Sequence, residues 1–282
     1  MLVEVDRMVK RYGRKTAVDQ ISFFVKPGEV VGFAGQNGAG KTTTIDVLMG
    51  FLDAQAGSVR VLGVDPPSRR HLGETGWMPE NPAFPRRMKV SGLIAFQAGT
   101  VPGWDPELAE ELIERLEVDV NERAGKLSRG QSARLALLFA LAHRPRLLLL
   151  DDPTLGLDPT ARRLLLGELL ASLAETGTGV LLSTHLLAEV DQALDRLVVI
   201  HHGRLLVDEE VETLKHTHRR LSLPPDAPPV DPALAPINGP EGTFSTRWDD
   251  DAWSRYQVEV PGARIEPANV EDIFVALTGG ER

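Results

Sequence analysis

The sequence predicts an α/β fold in which a mostly parallel, covered β-sheet is organised around a phosphate-binding loop. Three observations carry that expectation. A short apolar run, Val30-Val31-Gly32-Phe33-Ala34, feeds directly into Gly35-Gln36-Asn37-Gly38-Ala39-Gly40-Lys41-Thr42-Thr43, and a segment with helical spacing follows. Further apolar runs at Leu147–Leu150, Val180–Leu182 and Leu197–Ile200 alternate with segments of helical period, the pattern of strands covered by helices. From about Pro82 to Leu127 the strand signals stop, which reads as a helical insertion.

Taken in order, Leu2-Val3-Glu4-Val5 opens with strand-forming residues, and Ile21, Phe23 and Val25 alternate as in a half-buried strand closed by Pro27-Gly28. The loop that follows has the form G-x-x-x-x-G-K-T. Gly35, Gly38 and Gly40 let backbone N–H groups approach phosphate oxygens, and the helix beginning at its end aims its free amides at the same anion. Lys41 supplies an ammonium for the β- and γ-phosphates, and the Thr42 hydroxyl is a ligand for Mg²⁺. Ile45, Leu48, Met49 and Leu52 then give the helix one apolar face, with Gly50 near its end, and Val59 and Val61 mark another short strand.

Within the insertion, Asp105-Pro106 is a helix start, followed by Leu108, Leu112 and Leu116 at helical spacing. Ser128 and Gln131 have capping-box spacing ahead of a strongly apolar helix that Arg144-Pro145 stops. Leu147–Leu150 runs as a buried strand into Asp151-Asp152, where Asp151 is placed to hold Mg²⁺. A helix near Ala161–Glu175, Ser183-Thr184-His185 at a strand end, a helix to about Leu194 and a last strand complete the alternation. Leu223 to Pro240 is a proline-rich linker. Beyond it, alternating Tyr256, Val258 and Val260 and a helical Val270–Leu277 predict a small α+β appendage. His201-His202 and Asp249-Asp250-Asp251 read as a solvated pair and a solvated acidic turn.

Composition narrows the function. The chain has 282 residues, 42% apolar and 25% charged, with a net charge of -9, so no nucleic-acid partner held by a basic face is expected. It has no cysteine and hence no disulfide or zinc–thiolate site. The first residues lack a signal-peptide pattern, and the longest apolar run, Leu135–Ala142, has eight residues, far below the roughly 20 that span a bilayer. Work at a membrane therefore requires another chain to supply the membrane part.

The order of these motifs resembles the nucleotide-binding subunit of ATP-binding-cassette (ABC) transporters. Leu127-Ser128-Arg129-Gly130-Gln131 is similar to the family's signature motif, with Arg129 in place of its first glycine. Leu155-Gly156-Leu157-Asp158 resembles the loop after the metal-binding strand, Ser183-Thr184-His185 the switch histidine, Tyr12 the aromatic that stacks on adenine, and Trp77-Met78-Pro79-Glu80 the loop that senses the γ-phosphate. The resemblance implies a P-loop NTPase core of the ABC ATPase type over residues 1–210, with a helical subdomain at about 82–145. The appendage with its linker would occupy 211–282. It also implies ATP and Mg²⁺ as ligands, with Asp152, His185 and Glu80 catalytic. Tyr12, Gly35–Thr43, Ser128, Gly130, Gln131 and Asp158 would bind nucleotide, and Thr42, Asp151 and Glu80 would bind metal. Two ATPase subunits, as a homodimer or heterodimer, would close head to tail on two ATP molecules at the cytoplasmic face of the membrane and drive a separate integral membrane permease.

Two positions depart from the family pattern. Asp152 stands where a glutamate usually polarises the attacking water, and its carboxylate is about 1.5 Å shorter in reach. An error of about 1 Å at a reacting group costs on the order of 100-fold, so slow hydrolysis, in a regulatory or interaction module, is the alternative to an ordinary ATPase. Glu80 replaces a frequent glutamine and, with the ending Val270–Gly279, resembles the drug-export-like subtype. The permease contact is expected near Phe84–Phe96.

Overall fold

The computed structural model describes residues 1–184, 187–222, 237–238, 243–247, 250–260, 262 and 264–278. β1 (Val3–Tyr12) and β2 (Lys15–Val25) form an antiparallel hairpin, and β3 (Val30–Ala34) leads through the glycine-rich loop into α1 (Lys41–Leu48). β4 (Ala56–Val61) pairs with the free edge of β1, giving a three-stranded antiparallel sheet of order β2-β1-β4. A short edge strand, β5 (Thr75–Met78), precedes the helical unit of α2 (Val90–Thr100), α3 (Pro106–Arg115) and α4 (Arg129–Leu141). Then follow β6 (Leu147–Asp151), α5 (Pro159–Thr176), β7 (Gly179–Thr184), α6 (Leu187–Val190), β8 (Arg196–His201), β9 (Arg204–Glu210) and α7 (Val211–Thr217). The central sheet has the order β5-β6-β7-β3-β8-β9, parallel throughout except for the β8–β9 pair.

Why Leu147–Leu150 is uniformly apolar follows from this architecture. Successive side chains of a strand face opposite sides, and both sides of this sheet are covered. Leu148 and Leu150 enter one core, with Leu137, Leu138, Leu165 and Leu169 of α4 and α5. Leu147 and Leu149 enter the other, with Phe33, Ile45, Leu48 and the three-stranded sheet. All four leucines are fully buried. The helix starts are fixed by side chains. Asp105 accepts from the amides of Glu107 and Leu108, with Pro106 at the first helical position. Ser128 and Gln131 form a reciprocal capping box at α4, with Gln131 N to Ser128 Oγ at 3.2 Å and Ser128 N to Gln131 Oε1 at 2.8 Å. Asp158 caps α5 through Thr160 and Ala161.

The C-terminal part adds β10 (His218–Ser222), β11 (Ile237–Asn238), β12 (Thr243–Arg247), α8 (Asp250–Glu259), β13 (Arg264–Pro267) and α9 (Val270–Leu277), with the antiparallel strands in the order β11-β12-β10-β13. The alternation of Tyr256, Val258 and Val260 belongs to a helix and its end. Tyr256 and Val260 are buried one turn apart, whereas Val258 is 81% exposed on the opposite side. Three alternate apolar residues fit a strand only if all face one way, and here they do not. Asp250 and Asp251 open that helix; they do not form a turn. Asp249, Trp248 and most of the proline-rich stretch lie outside the described residues. The final helix joins the main core: Val270 and Ile273 pack in the same cluster as Val211, Leu214 and the leucines of the central sheet. Asn269 caps it by accepting from Asp272 N at 2.8 Å. Ile273→Ala should therefore lower unfolding stability by about 2–5 kcal/mol and shift the main thermal transition. A mutant whose main transition is unmoved would show α9 to be an independent unit.

Candidate nucleotide site

The central sheet gathers the expected site at the carboxyl ends of its parallel strands, where ligands bind in open α/β sheets. β3 delivers the loop at Gly35, β5 delivers Glu80, β6 ends at Asp151 and β7 ends at Thr184. The register sets Ala34 opposite Thr184 and Asp151 opposite Ser183. A cleft of about 390 Å³ opens there, lined by Tyr12, Lys15, Ala17, Asn37, Gly38, Gly40, Lys41, Thr42, Thr43, Glu80, Asp152 and Leu155.

The loop keeps its shape through glycine. Gly38 (φ 80°) and Gly40 (φ 111°) have left-handed backbones, and a Cβ on Gly40 would come within 2.6 Å of the Ala17 carbonyl oxygen. Ala39 N donates to Gln36 O at 3.0 Å, while Thr44 Oγ1 donates to Gly40 O at 2.9 Å. Lys41 is only 5% exposed. Its ammonium donates to Gly35 O at 2.8 Å and lies 3.6 Å from Asp152 Oδ2. Asp152 is buried and has a left-handed backbone (φ 42°), a conformation that aspartate tolerates better than most residues.

Asp151 is also buried, and Ser183 Oγ donates to its Oδ1 at 2.9 Å. Burial pushes the Asp151 carboxyl above the usual carboxylate range. Hydrogen bonds from the Thr42 and Ser183 hydroxyls pull it down in part, and the charges of Asp152 and Glu80 push it up. Asp46, also pushed up, owes this first to burial and then to the Asp151 charge. Tyr12 is about half exposed at the mouth of the cleft, with the Lys10 ammonium 5.7 Å from its ring centroid.

Ser128, Gly130, Gln131 and Asp158 stand apart and do not line the cleft. The first three form the exposed or half-exposed start of α4. The backbone amides of Ala161 and Thr160 hold the Asp158 carboxyl below its ordinary range. His185 lies outside the described residues. Lys15 and Ala17 on the cleft wall and Asn81, whose Nδ2 donates to Glu80 Oε1 at 3.0 Å, were not singled out in the sequence, while Leu155 on the cleft wall and Ser183 on Asp151 were named only as parts of the 155–158 and 183–185 motifs, without a role of their own. Ser183 sits at the end of an apolar run beside the expected histidine and Leu155 just after the expected metal carboxylate, whereas Lys15, Ala17 and Asn81 had no local signal.

The ABC transporter family model matches residues 18–155. The Nod factor export ATP-binding protein I of Paraburkholderia xenovorans is 34% identical over 304 aligned positions, covering 99% of this chain and 97% of that protein. This chain belongs to the ABC transporter ATP-binding proteins. The corresponding protein of Burkholderia thailandensis is 36% identical, with the same coverage. Among solved structures, the ATP-binding subunit of an ABC transporter superposes with a TM-score of 0.69 at 26% identity, covering 76% of this chain and 92% of that one. A dimeric ATP-binding cassette bound to ADP and Pi, 21% identical, shares the fold with a TM-score of 0.66. The chain is thus an ABC-type ATPase, and this company does not favour the module of slow turnover.

Protonation of Asp151 gives a direct check of the site's electrostatics. Because its folded-state pKa is raised, the native chain keeps a proton that the unfolded chain has released. The Asp151 contribution to the stability of the nucleotide-free protein therefore falls as pH rises from the ordinary carboxylate range through the raised value. Asp151→Asn should remove that fall and leave the melting temperature at neutral pH at least as high as wild type. A lower melting temperature for Asp151→Asn at neutral pH but not at acid pH would show that the ionised carboxylate stabilises the empty site.

Proposed function

We propose that this chain is the ATP-hydrolysing subunit of an exporter, working as a dimer beneath a separate integral membrane permease at the cytoplasmic face of the membrane. The observation that carries the reading is the convergence of Lys41, Thr42, Glu80, Asp151 and Asp152 at the ends of β3, β5 and β6. Export follows the names of the full-length relatives. No described helix is long and apolar enough to cross a membrane, which agrees with a permease on another chain. In this reading residues 1–210 are the ATPase domain, 82–145 its helical subdomain and 211–282 the appendage.

The donor set fits Mg²⁺. Thr42 hydrogen-bonds to Asp151 and the Glu80 charge is felt there, so a hydroxyl and carboxylates meet as hard oxygen donors. Among the described residues no group of three or more His, Asp or Glu side chains is placed to hold a metal ion by itself. That leaves coordination positions for waters and substrate phosphates, as Mg²⁺ prefers. Bound there, Mg²⁺ would neutralise charge on the β- and γ-phosphates. Lys41 would exchange its present partners for phosphate oxygens, helped by loop amides from Gly35 to Thr43 and the start of α1. Asp152 would orient the attacking water and take its proton, Tyr12 would stack on adenine, and His185 would contact the γ-phosphate.

The second half of each site would come from a partner subunit. Ser128 uses its hydroxyl oxygen as an acceptor for the Gln131 amide, which leaves the hydroxyl proton to donate to a phosphate oxygen. Capping and nucleotide binding are therefore compatible at Ser128. The permease would meet the surface that includes Met88 and Phe96, the latter 61% exposed.

Single-turnover ATP hydrolysis tests the role of Asp152. Asp152→Asn should slow the chemical step by about 100-fold or more, the scale of general-base catalysis, with ATP affinity kept within a few-fold. Asp152→Glu lengthens the reach of the carboxylate by about 1.5 Å, so with Asp152 already well placed it should lower turnover by up to about 100-fold. A gain of tenfold or more in that variant would mean that the shorter carboxylate limits turnover. Charged substitutions at Met88 and Phe96 should abolish co-purification with a multi-span membrane protein while ATP binding persists; an unchanged complex would move the permease contact elsewhere.

A further inference from the structure

The Glu80 carboxylate is held from outside the cleft. Its Oε1 accepts from Asn81 Nδ2 at 3.0 Å, and Asn81 Oδ1 in turn accepts from Arg129 Nη2 at 3.2 Å. The two bonds define the Asn81 amide. Turned over, it would set its NH₂ against a guanidinium and its oxygen against a carboxylate, losing both bonds. Arg129 is the first residue of α4, and its guanidinium lies against Gly156 so closely that a methyl group there would collide with it. One side chain thus ties together the turn after β5, the start of α4 and the loop that leads to α5. A glycine at position 129, the residue implied by the family pattern, would have no atoms for these contacts.

We propose that Arg129 is a positioning residue for ATP hydrolysis. Through Asn81 it orients the Glu80 carboxylate beside Lys41, Thr42 and Asp152, and it passes any displacement of the 155–158 loop to that carboxylate. The proposal rests on the reading of Glu80 as part of the nucleotide site. Arg129 is otherwise placed to serve a partner's phosphate from the start of α4, but its guanidinium is engaged with Asn81 and Gly156 of its own chain. Capping does not explain it either, since Ser128 and Gln131 satisfy each other without it. A planar fork of donors suits this role, because it can meet an amide oxygen and a backbone turn together.

The test is steady-state ATPase of the full chain for Arg129→Ala, Asn81→Ala, their double variant, Arg129→Lys and Glu80→Ala. Each of Arg129→Ala and Asn81→Ala should lower kcat about tenfold, the scale of a sub-ångström misplacement, with KM for ATP within about threefold. The double variant should be no slower than either single one, because both break the same chain of bonds. Arg129→Lys should recover part of the rate, and melting temperatures should stay close to wild type. The proposal fails if Arg129→Ala turns over at the wild-type rate, or if the two single effects multiply. It also fails if Arg129→Ala weakens only ATP-driven dimerisation in sedimentation, which would assign Arg129 to the partner's phosphate. A slow Glu80→Ala beside a normal Arg129→Ala would sink the relay alone. Normal turnover in Glu80→Ala would sink the reading of Glu80, and the relay with it.

Discussion

The site depends on a cluster of charges gathered around the buried Lys41 ammonium. The Lys41 ammonium is almost out of contact with water, and it faces the Asp152 carboxylate at 3.6 Å with Asp151 and Glu80 close by. A lone buried ammonium is unfavourable, so the Gly35 carbonyl and Asp152 are what make Lys41 tolerable in the empty chain. Among the described residues, Lys41 beside Asp151, Asp152 and Glu80 leaves this cluster with an excess of negative charge where a polyphosphate is proposed to bind, Lys15 on the cleft wall being exposed. The raised Asp151 carboxyl registers that excess together with its burial. Polyphosphate without a metal would add to it, whereas a divalent cation on Thr42 and Asp151 would offset it. These charges fit the proposed binding of ATP as its Mg²⁺ complex.

Those charges are affordable only because the sheet beneath them is rigid and fully covered. Leu147–Leu150 divides alternately between two cores, so β6 is locked from both sides just before it releases Asp151. The parallel register then carries the same precision to Ser183, whose hydroxyl completes Asp151. Strand packing, helix starts and site geometry are in this sense one construction. Moving a leucine of β6 would disturb Asp151 without touching any polar atom.

Much of this was legible in the sequence because the signals were local. The glycine loop, the four leucines before Asp151, the Asp105-Pro106 start and the Ser128–Gln131 box each specify their own conformation within a few residues. What escaped was set by pairing between distant segments. β5 is four residues long and contains Gly76, so its strand character comes from lying beside β6. The three-stranded sheet depends on β4 crossing back to β1, which no local pattern encodes. The Tyr256–Val260 alternation misled because a period of two over five residues also places its ends one helical turn apart. Asn81 and Arg129 meet across 48 positions of sequence, and neither has a neighbour that announces the contact.

The position of α4 bears on how many chains complete one site. Lys41, Thr42, Glu80 and Asp152 share a cleft within one chain, whereas Ser128, Gly130 and Gln131 remain outside it. If both groups bind the same ATP, the second group must belong to another molecule, because α4 is anchored where it is. Its leucines are locked into the core beside α5, Arg129 at its start holds Asn81, and Gly130 already lies against Ala161. Swinging the start of α4 into its own cleft would break all of these at once. A second copy approaching with its own α4 would need to break none of them. The capping box adds to the same preference, since it fixes the Ser128 oxygen as an acceptor and leaves one hydroxyl proton facing outward chemistry. A nucleotide held by two chains in this way can report its presence to both, whereas one enclosed by a single chain could not.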